Sequence, residues 1–335
     1  MSLLATTHPT LIDVAKRLDP NGQVATIVEI LNESNEVLDD AVWLEANDGT
    51  GHKTTIRTGL PAPTWRKIYG FVQPTKSTTL QVRDNTGMLE AYAEVDKALA
   101  DLNGNTAAFR LSEDRAHIEG MNQEQADTIF HGNEGTEPEA FTGLAPRFNS
   151  LSAANGQNII NAAGDSDRTS IWLVVWGPNT VHCIYPKGSK AGLTVTDKGV
   201  VTIDNLGNGV ASSGRMEAYR THYRWDSGLS VRDWRYVVRI ANIDQAALTK
   251  DPSVGGADLI DLMTRAMETV QDLNLGRPAF YMNRTLRSIL RRQMVTAVKS
   301  STLTMDTVAG KRVMQFDGVP IRRVDKLVPG ESAVS

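Results

Sequence analysis

The chain has 335 residues, one cysteine and a formal net charge of -4. That charge excludes a nucleic-acid binder working by bulk positive charge, and the lone Cys183 excludes a disulfide framework. No apolar stretch nears the ~20 residues of a membrane span, the first ten residues lack a secretory signal, and the length allows two domains.

Residues 1–42 read as an arm with one or two amphipathic helices. Leu11, Val14, Ala15 and Leu18 form one apolar stripe, and Ile27, Ile30, Leu31, Val37 and Leu38 continue it after the turn Asp19-Pro20-Asn21-Gly22. Residues 43–86 read as a long hairpin. GHKTTIRTG alternates His52, Thr54, Ile56 and Thr58 against Lys53, Thr55 and Arg57, and Thr78, Leu80 and Val82 alternate on the return. Pro61, Pro63 and Pro74 belong to edges rather than to a sheet interior. A hairpin polar on both faces needs cover from elsewhere. A helix is expected over 87–102, with Met88, Tyr92, Val95, Leu99 and Leu102 at spacings of four and three.

A second, longer helix is expected from Thr106, its N-cap, to His131. Leu111, Ile118, Met121, Ile129 and Phe130 form a narrow apolar stripe among acids and amides, and Gly132 and Gly135 end it. Its length is about 39 Å at ~1.5 Å per residue. The turn GNEGTEPEAFTGL follows, and residues 150–167 read as a loop. IWLVVWGP is apolar on both faces, with Trp172, Val174 and Trp176 on one and Ile171, Leu173 and Val175 on the other; VHCIYP is its expected hairpin partner. Short strands are expected over 187–214, then two strands around Asp226-Ser227-Gly228. A helix carries Leu259, Leu262, Met263, Ala266, Val270 and Leu273. AFYM is a strand, Asn283 caps a helix with Leu286, Ile289, Leu290 and Met294, and Asp317-Gly318 turns into a strand over 319–324.

A long acidic helix followed by GNEGTEPEAFTGLAPRF resembles the spine helix and following turn of tailed-bacteriophage major capsid proteins, podovirus type. AFYMN before a helix, and FDGVPIRRVDKL, resemble two further units of that family. The resemblance implies the α+β Hong Kong 97-type capsid fold. It implies an N-terminal arm (1–42), an extended loop hairpin (43–86), a peripheral domain with the spine helix (87–145 and 211–245) and an axial domain (146–210 and 246–335). One departure exists: the counterparts of IWLVVWGP and YVVRIANI precede the Gly-x-Pro strand instead of following it. Either the topology is permuted or those segments pair differently.

Enzyme chemistry finds no motif. No phosphate loop, dinucleotide fingerprint, HExxH, CxxC or nucleophile elbow occurs, and the six histidines are scattered. No catalytic residue, cofactor or metal is expected. Charge is segregated instead: acids dominate 87–140, and Arg277, Arg284, Arg287, Arg291, Arg292 and Lys299 stand without acids in 277–299. Opposite patches on one chain suit self-assembly. Glu119, Glu124, Arg287, Arg291 and Arg292 on these patches are candidate subunit contacts, and Arg57, Trp65 and Lys67 join them on the hairpin that the resemblance lays across a neighbour. The resemblance implies a virion structural protein forming hexamers and pentamers of an icosahedral head, assembled in the host cytoplasm around double-stranded DNA. Portal and cement proteins are its implied partners. The arm begins at once, which leads to the expectation of a separate scaffolding protein. An encapsulin-type compartment and a metabolic enzyme with an unfamiliar site are the alternatives.

Overall fold

The computed structural model describes residues 35–102, 106–204, 215–252, 255–296, 303–308 and 311–335. The helices expected before residue 34 lie outside the described residues. In chain order come α1 (Val37–Asp40), β1 (Trp43–Glu45), β2 (Gly51–Gly59), β3 (Thr78–Asp96), α2 (Lys97–Ala100) and α3 (Thr106–His131). Six strands follow: β4 (Ile159–Asn161), β5 (Arg168–Trp176), β6 (Val181–Tyr185), β7 (Thr194–Asp204), β8 (Arg215–Val231) and β9 (Val237–Asp244). The chain closes with α4 (Leu259–Thr269), β10 (Arg277–Met282), α5 (Arg284–Thr296), β11 (Leu303–Val308), β12 (Lys311–Phe316) and β13 (Val319–Arg323).

Two compact units form. The first takes residues 88–125 and 192–226 of the described chain. Here β7 pairs antiparallel with β8, from Thr194↔Arg224 to Asp204↔Arg215, and β3 neighbours β8. The helix expected over 87–102 is instead the second half of β3 plus the single turn of α2. Two periods fit the same letters. Ala93 and Val95 are buried and Leu89 and Ala91 partly so, at the strand period of two; Met88 and Tyr92, which a helical stripe would bury, are exposed. Pairing with β8 decides for the strand. Asp96 then caps α2 by accepting hydrogen bonds from the Ala98 and Leu99 amides.

The pairing also changes the charge reading. Glu94 bonds Arg220 at 2.6 Å, and Glu90 meets His222 at 3.1 Å and Arg224 at 3.6 Å. Two acids of the acid-rich stretch are thus answered within the subunit. α3 has the expected bounds. Thr106 is its first helical residue and not its N-cap, and its hydroxyl donates to Asp101 Oδ1 at 2.8 Å. Met121, Ile129 and Phe130 are buried as the stripe predicts, while Leu111 and Ile118 are exposed.

The second unit takes residues 35–87, 126–191 and 227–335 of the described chain. β5 is its centre, flanked antiparallel by β9 and β10. β13 pairs parallel beyond β10, then β12 and β11; β4 pairs parallel beyond β9. The two faces of β5 divide as its sequence predicts. Ile171, Leu173 and Val175 pack with α4 and α5 through Leu259, Met263, Leu286 and Leu290. Trp172, Val174 and Trp176 pack with Val37, the end of α3 and Phe141, Leu144 and Phe148. Asn283 caps α5, its Oδ1 accepting from the Leu286 amide at 2.8 Å.

Two strand pairings differ from expectation. β6 is no hairpin partner of β5: it meets β5 only at Trp176↔Val181 and pairs with β1 and β8. Asp226-Ser227-Gly228 is no turn either, because β8 runs through it. Gly228 serves close approach: a Cβ there would sit 2.7 Å from the Asn85 carbonyl oxygen. The chain reverses later, at Asp233, which caps a short 3-10 turn before β9.

Candidate functional site

The candidate surfaces start at the hairpin. β2 and the first half of β3 pair from Gly51↔Asn85 to Arg57↔Thr79, with a bulge before Gly59. Arg57, Trp65 and Lys67 are all exposed on it. Residues 60–77 cross the far end without regular strand pairing. Trp65 is wholly exposed, with Ile68 85%, Tyr69 96% and Phe71 97% exposed. Sequence reading singled out Trp65 and passed over the other three, because they lie between prolines in no period. A cluster of four large apolar side chains in water marks an interaction surface.

The hairpin's root is built more firmly than its tip. Asp84 is buried and accepts from Arg147 Nη1 at 2.7 Å. The same guanidinium donates to the Thr142, Gly143 and Leu229 carbonyls. One arginine thus ties the hairpin, the turn after α3 and β8. That turn also closes the helix. The Leu144 amide donates to the Ile129 carbonyl at 2.9 Å, supplying a partner to an end carbonyl. Gly143 is required there, since a Cβ would lie 2.7 Å from Ile129 O.

The segment from Asn35 is rooted by Asp40, which accepts from Arg322 at 2.7 and 2.8 Å and from the Tyr281 hydroxyl. The last residues are held by a second ionic cluster. Arg239, buried against the Trp172 ring, donates to Glu331 Oε2, Ser170 Oγ and the Phe148 carbonyl. His131 meets Asp127 at 2.7 Å and Glu331 at 3.7 Å. Burial alone would lower the His131 pKa, but these two carboxylates outweigh it and push it up to about 9. Burial alone would raise Glu331; His131, Arg239 and Ser170 instead hold it below the usual carboxylate range.

The pH dependence follows. A raised histidine contributes stability fully below its ordinary 6.5, and that contribution is lost as pH rises through about 9. The Glu331 contribution is present above its ordinary 4.5 and is lost as pH falls through its depressed folded value. The subunit's unfolding midpoint should therefore decline from pH 6.5 to 9. His131→Gln should flatten that decline; a decline unchanged in His131→Gln would remove this cluster as its cause.

Of the remaining candidates, Glu119 accepts from Gln123 Nε2 at 2.9 Å and Glu124 is exposed, both on α3. Arg287, Arg291 and Arg292 lie on α5 and are brought together in a groove with Lys250, Arg284 and Arg323. Among the described residues no group of three His, Cys, Asp or Glu is arranged to hold a metal, and no helix is long and apolar enough to cross a membrane.

Residues 19–335 match the family model described as major capsid protein GP7. Among solved structures, a chain of bacteriophage Epsilon15 is similar over 100% of this chain and 99% of its own, at 41% identity and a TM-score of 0.75. The capsid of bacteriophage JBD30 is similar over 96% of this chain and 100% of its own, at 10% identity and a TM-score of 0.47. An encapsulin complex from Synechococcus elongatus is similar over 70% of this chain and 97% of its own, at 12% identity and a TM-score of 0.42. No curated protein matches the chain.

Proposed function

The chain belongs to the GP7 family of major capsid proteins and has the Hong Kong 97-type fold, and from that premise we propose how its copies join. It is a structural subunit of a bacteriophage capsid and self-assembles into the shell. The hairpin 43–86 reaches onto a neighbouring subunit, and its apolar tip is covered there. That tip is the observation carrying the proposal: Trp65, Ile68, Tyr69 and Phe71 stand in water on an arm rooted by a buried ion pair. Arg57 and Lys67 flank it, and Glu119, Glu124, Arg287, Arg291 and Arg292 are further contacts. The axial domain is assigned to 146–210 and 246–335 and the peripheral domain to 87–145 and 211–245. These bounds differ from the two compact units of the described chain at 126–145 and 227–245, which group with the second, and at 192–210, which group with the first. Hexamers and pentamers tile an icosahedral head around double-stranded DNA in the host cytoplasm, with separate scaffolding, portal and cement proteins. Size-exclusion of the assembled protein should give particles far above any small oligomer. A discrete dimer or tetramer as the sole product would favour an enzyme instead.

The shell is non-covalent. Lys–Asn isopeptide bonding needs a glutamate whose apolar surroundings let it take a lysine proton. Lys53, Lys67 and Lys76 lie exposed on the hairpin. The half-buried Glu331 is paired with Arg239, and its carboxyl is held below its ordinary range, the reverse of that requirement. Boiling mature particles in detergent should release one band near 36.6 kDa. A ladder of covalent oligomers would contradict it.

A further inference from the structure

We propose that the arginine groove on α5 receives the outer face of α4, through Asp261 and Glu268, from a second copy of this chain, joining subunits head to tail. This deepens the capsid reading and rests on it. The groove is a cavity of about 710 Å³ lined by Lys250, Arg284, Arg287, Arg291, Arg292 and Arg323. Arg284, Arg287 and Arg291 recur at three and four residues, which sets them along one stripe of the helix. Lys250, from the segment after β9, and Arg323, ending β13, complete the walls. Asp325 meets Arg284 and Arg323. A concave cluster of like charges on one subunit is a site for a partner of opposite sign.

α4 supplies that sign in the matching spacing. Asp261 and Glu268 are exposed and seven residues apart, as are Arg284 and Arg291, with Arg265 exposed between the two acids on the same stripe and Ser288 between the two arginines. Seven residues are two turns, roughly 10.5 Å at about 1.5 Å per residue. Two helices laid together can thus form two acid–arginine contacts in register. Asp258 and Asp272 extend the acidic stretch at its ends. Asp261 lies 4.0 Å from Arg265 with both side chains mostly in water, a pairing too weak to hold it back. Glu119 and Glu124 are a poorer match: five residues apart on α3, they point to different sides of the helix. Donor and acceptor faces are different parts of one unit, so the contact is heterologous. Such contacts propagate around a ring instead of closing after two copies.

The test reverses charge in the full chain under conditions where it forms shells. Arg287→Glu with Arg291→Glu should lower shell yield at least about tenfold while circular dichroism shows a folded subunit. Adding Asp261→Lys and Glu268→Lys to the same chain should restore most of the yield, since the reversed faces again match. The milder pair Arg287→Gln and Arg291→Gln, which adds no repulsion, should assemble poorly and with weaker salt dependence, and covers the case of a reversal that misfolds. Wild-type yield from the reversed chain would overturn the pairing. Loss without rescue would overturn it too. In that case, loss of double-stranded DNA binding in a mobility-shift assay would assign the groove to phosphate. A wild-type chain that forms no shells even beside its scaffolding protein would remove the capsid reading beneath it.

Discussion

Replacing Trp65, Ile68, Tyr69 and Phe71 together by serine should abolish shell formation and leave the subunit's own stability unchanged. The four side chains are almost wholly exposed in the subunit, so their loss removes no internal packing. Covering them on a neighbour is a different matter. Each large apolar side chain buried contributes on the order of 1.5–3 kcal/mol, so four contribute roughly 6–12 kcal/mol per contact before ordering costs. Repeated at every subunit boundary, that loss is far more than a shell can absorb. Electron microscopy and thermal denaturation together check the expectation. Complete shells from the fourfold variant would show that the tip is not the contact.

Arg239→Leu should have the largest effect on the subunit itself. It leaves the Glu331 side chain, only 10% exposed, with its nearest cation removed. Breaking one half of a buried ion pair costs up to about 3–5 kcal/mol, and His131, 3.7 Å from Glu331, still answers part of the charge, so the loss falls toward the lower end. Arg239→Leu with Glu331→Leu should recover at least half of that loss, since replacing both partners strands no charge. Chemical denaturation, with the fourfold tip variant as a background that stays unassembled, gives both values. A single variant as stable as its parent would mean that the cluster is not a clamp on the chain's end.

These two surfaces were unequally legible in the sequence. β5 declared both its faces, because six apolar residues in a row can only be buried on two sides, and α3 declared its bounds through Gly132 and Gly135. Asn283 was readable as a cap from its place before Leu286. The strand at 88–96 was not readable, since Leu89, Ala91, Ala93 and Val95 fit one period while Met88, Tyr92 and Val95 fit another. Partnership with β8, more than a hundred residues away, decides between them. Gly228 looked like a turn because the carbonyl that demands it belongs to Asn85, far off in the chain. Ile68, Tyr69 and Phe71 carried no pattern, because an uncovered loop needs no periodicity. Arg239 and Glu331 are 92 residues apart, and neither has a local signature.

The groove arginines illustrate a middle case. Their sign and clustering on one helix were visible, and self-contact followed from the acid surplus elsewhere. Glu90 and Glu94 belonged to that surplus in the sequence but meet Arg220, His222 and Arg224 within the same unit. Only the fold separates acids answered at home from acids presented outward, such as Asp261 and Glu268 on α4.

The central claim is that the hairpin's apolar tip is buried on an adjacent copy. Cryo-electron microscopy of particles assembled from the full chain tests it most directly. The expected result is closed shells in which residues 60–77 lie over a neighbouring subunit, with Trp65 and Phe71 out of solvent. Closed shells with that tip folded back on its own subunit or left in water, or small discrete oligomers in place of shells, would contradict it.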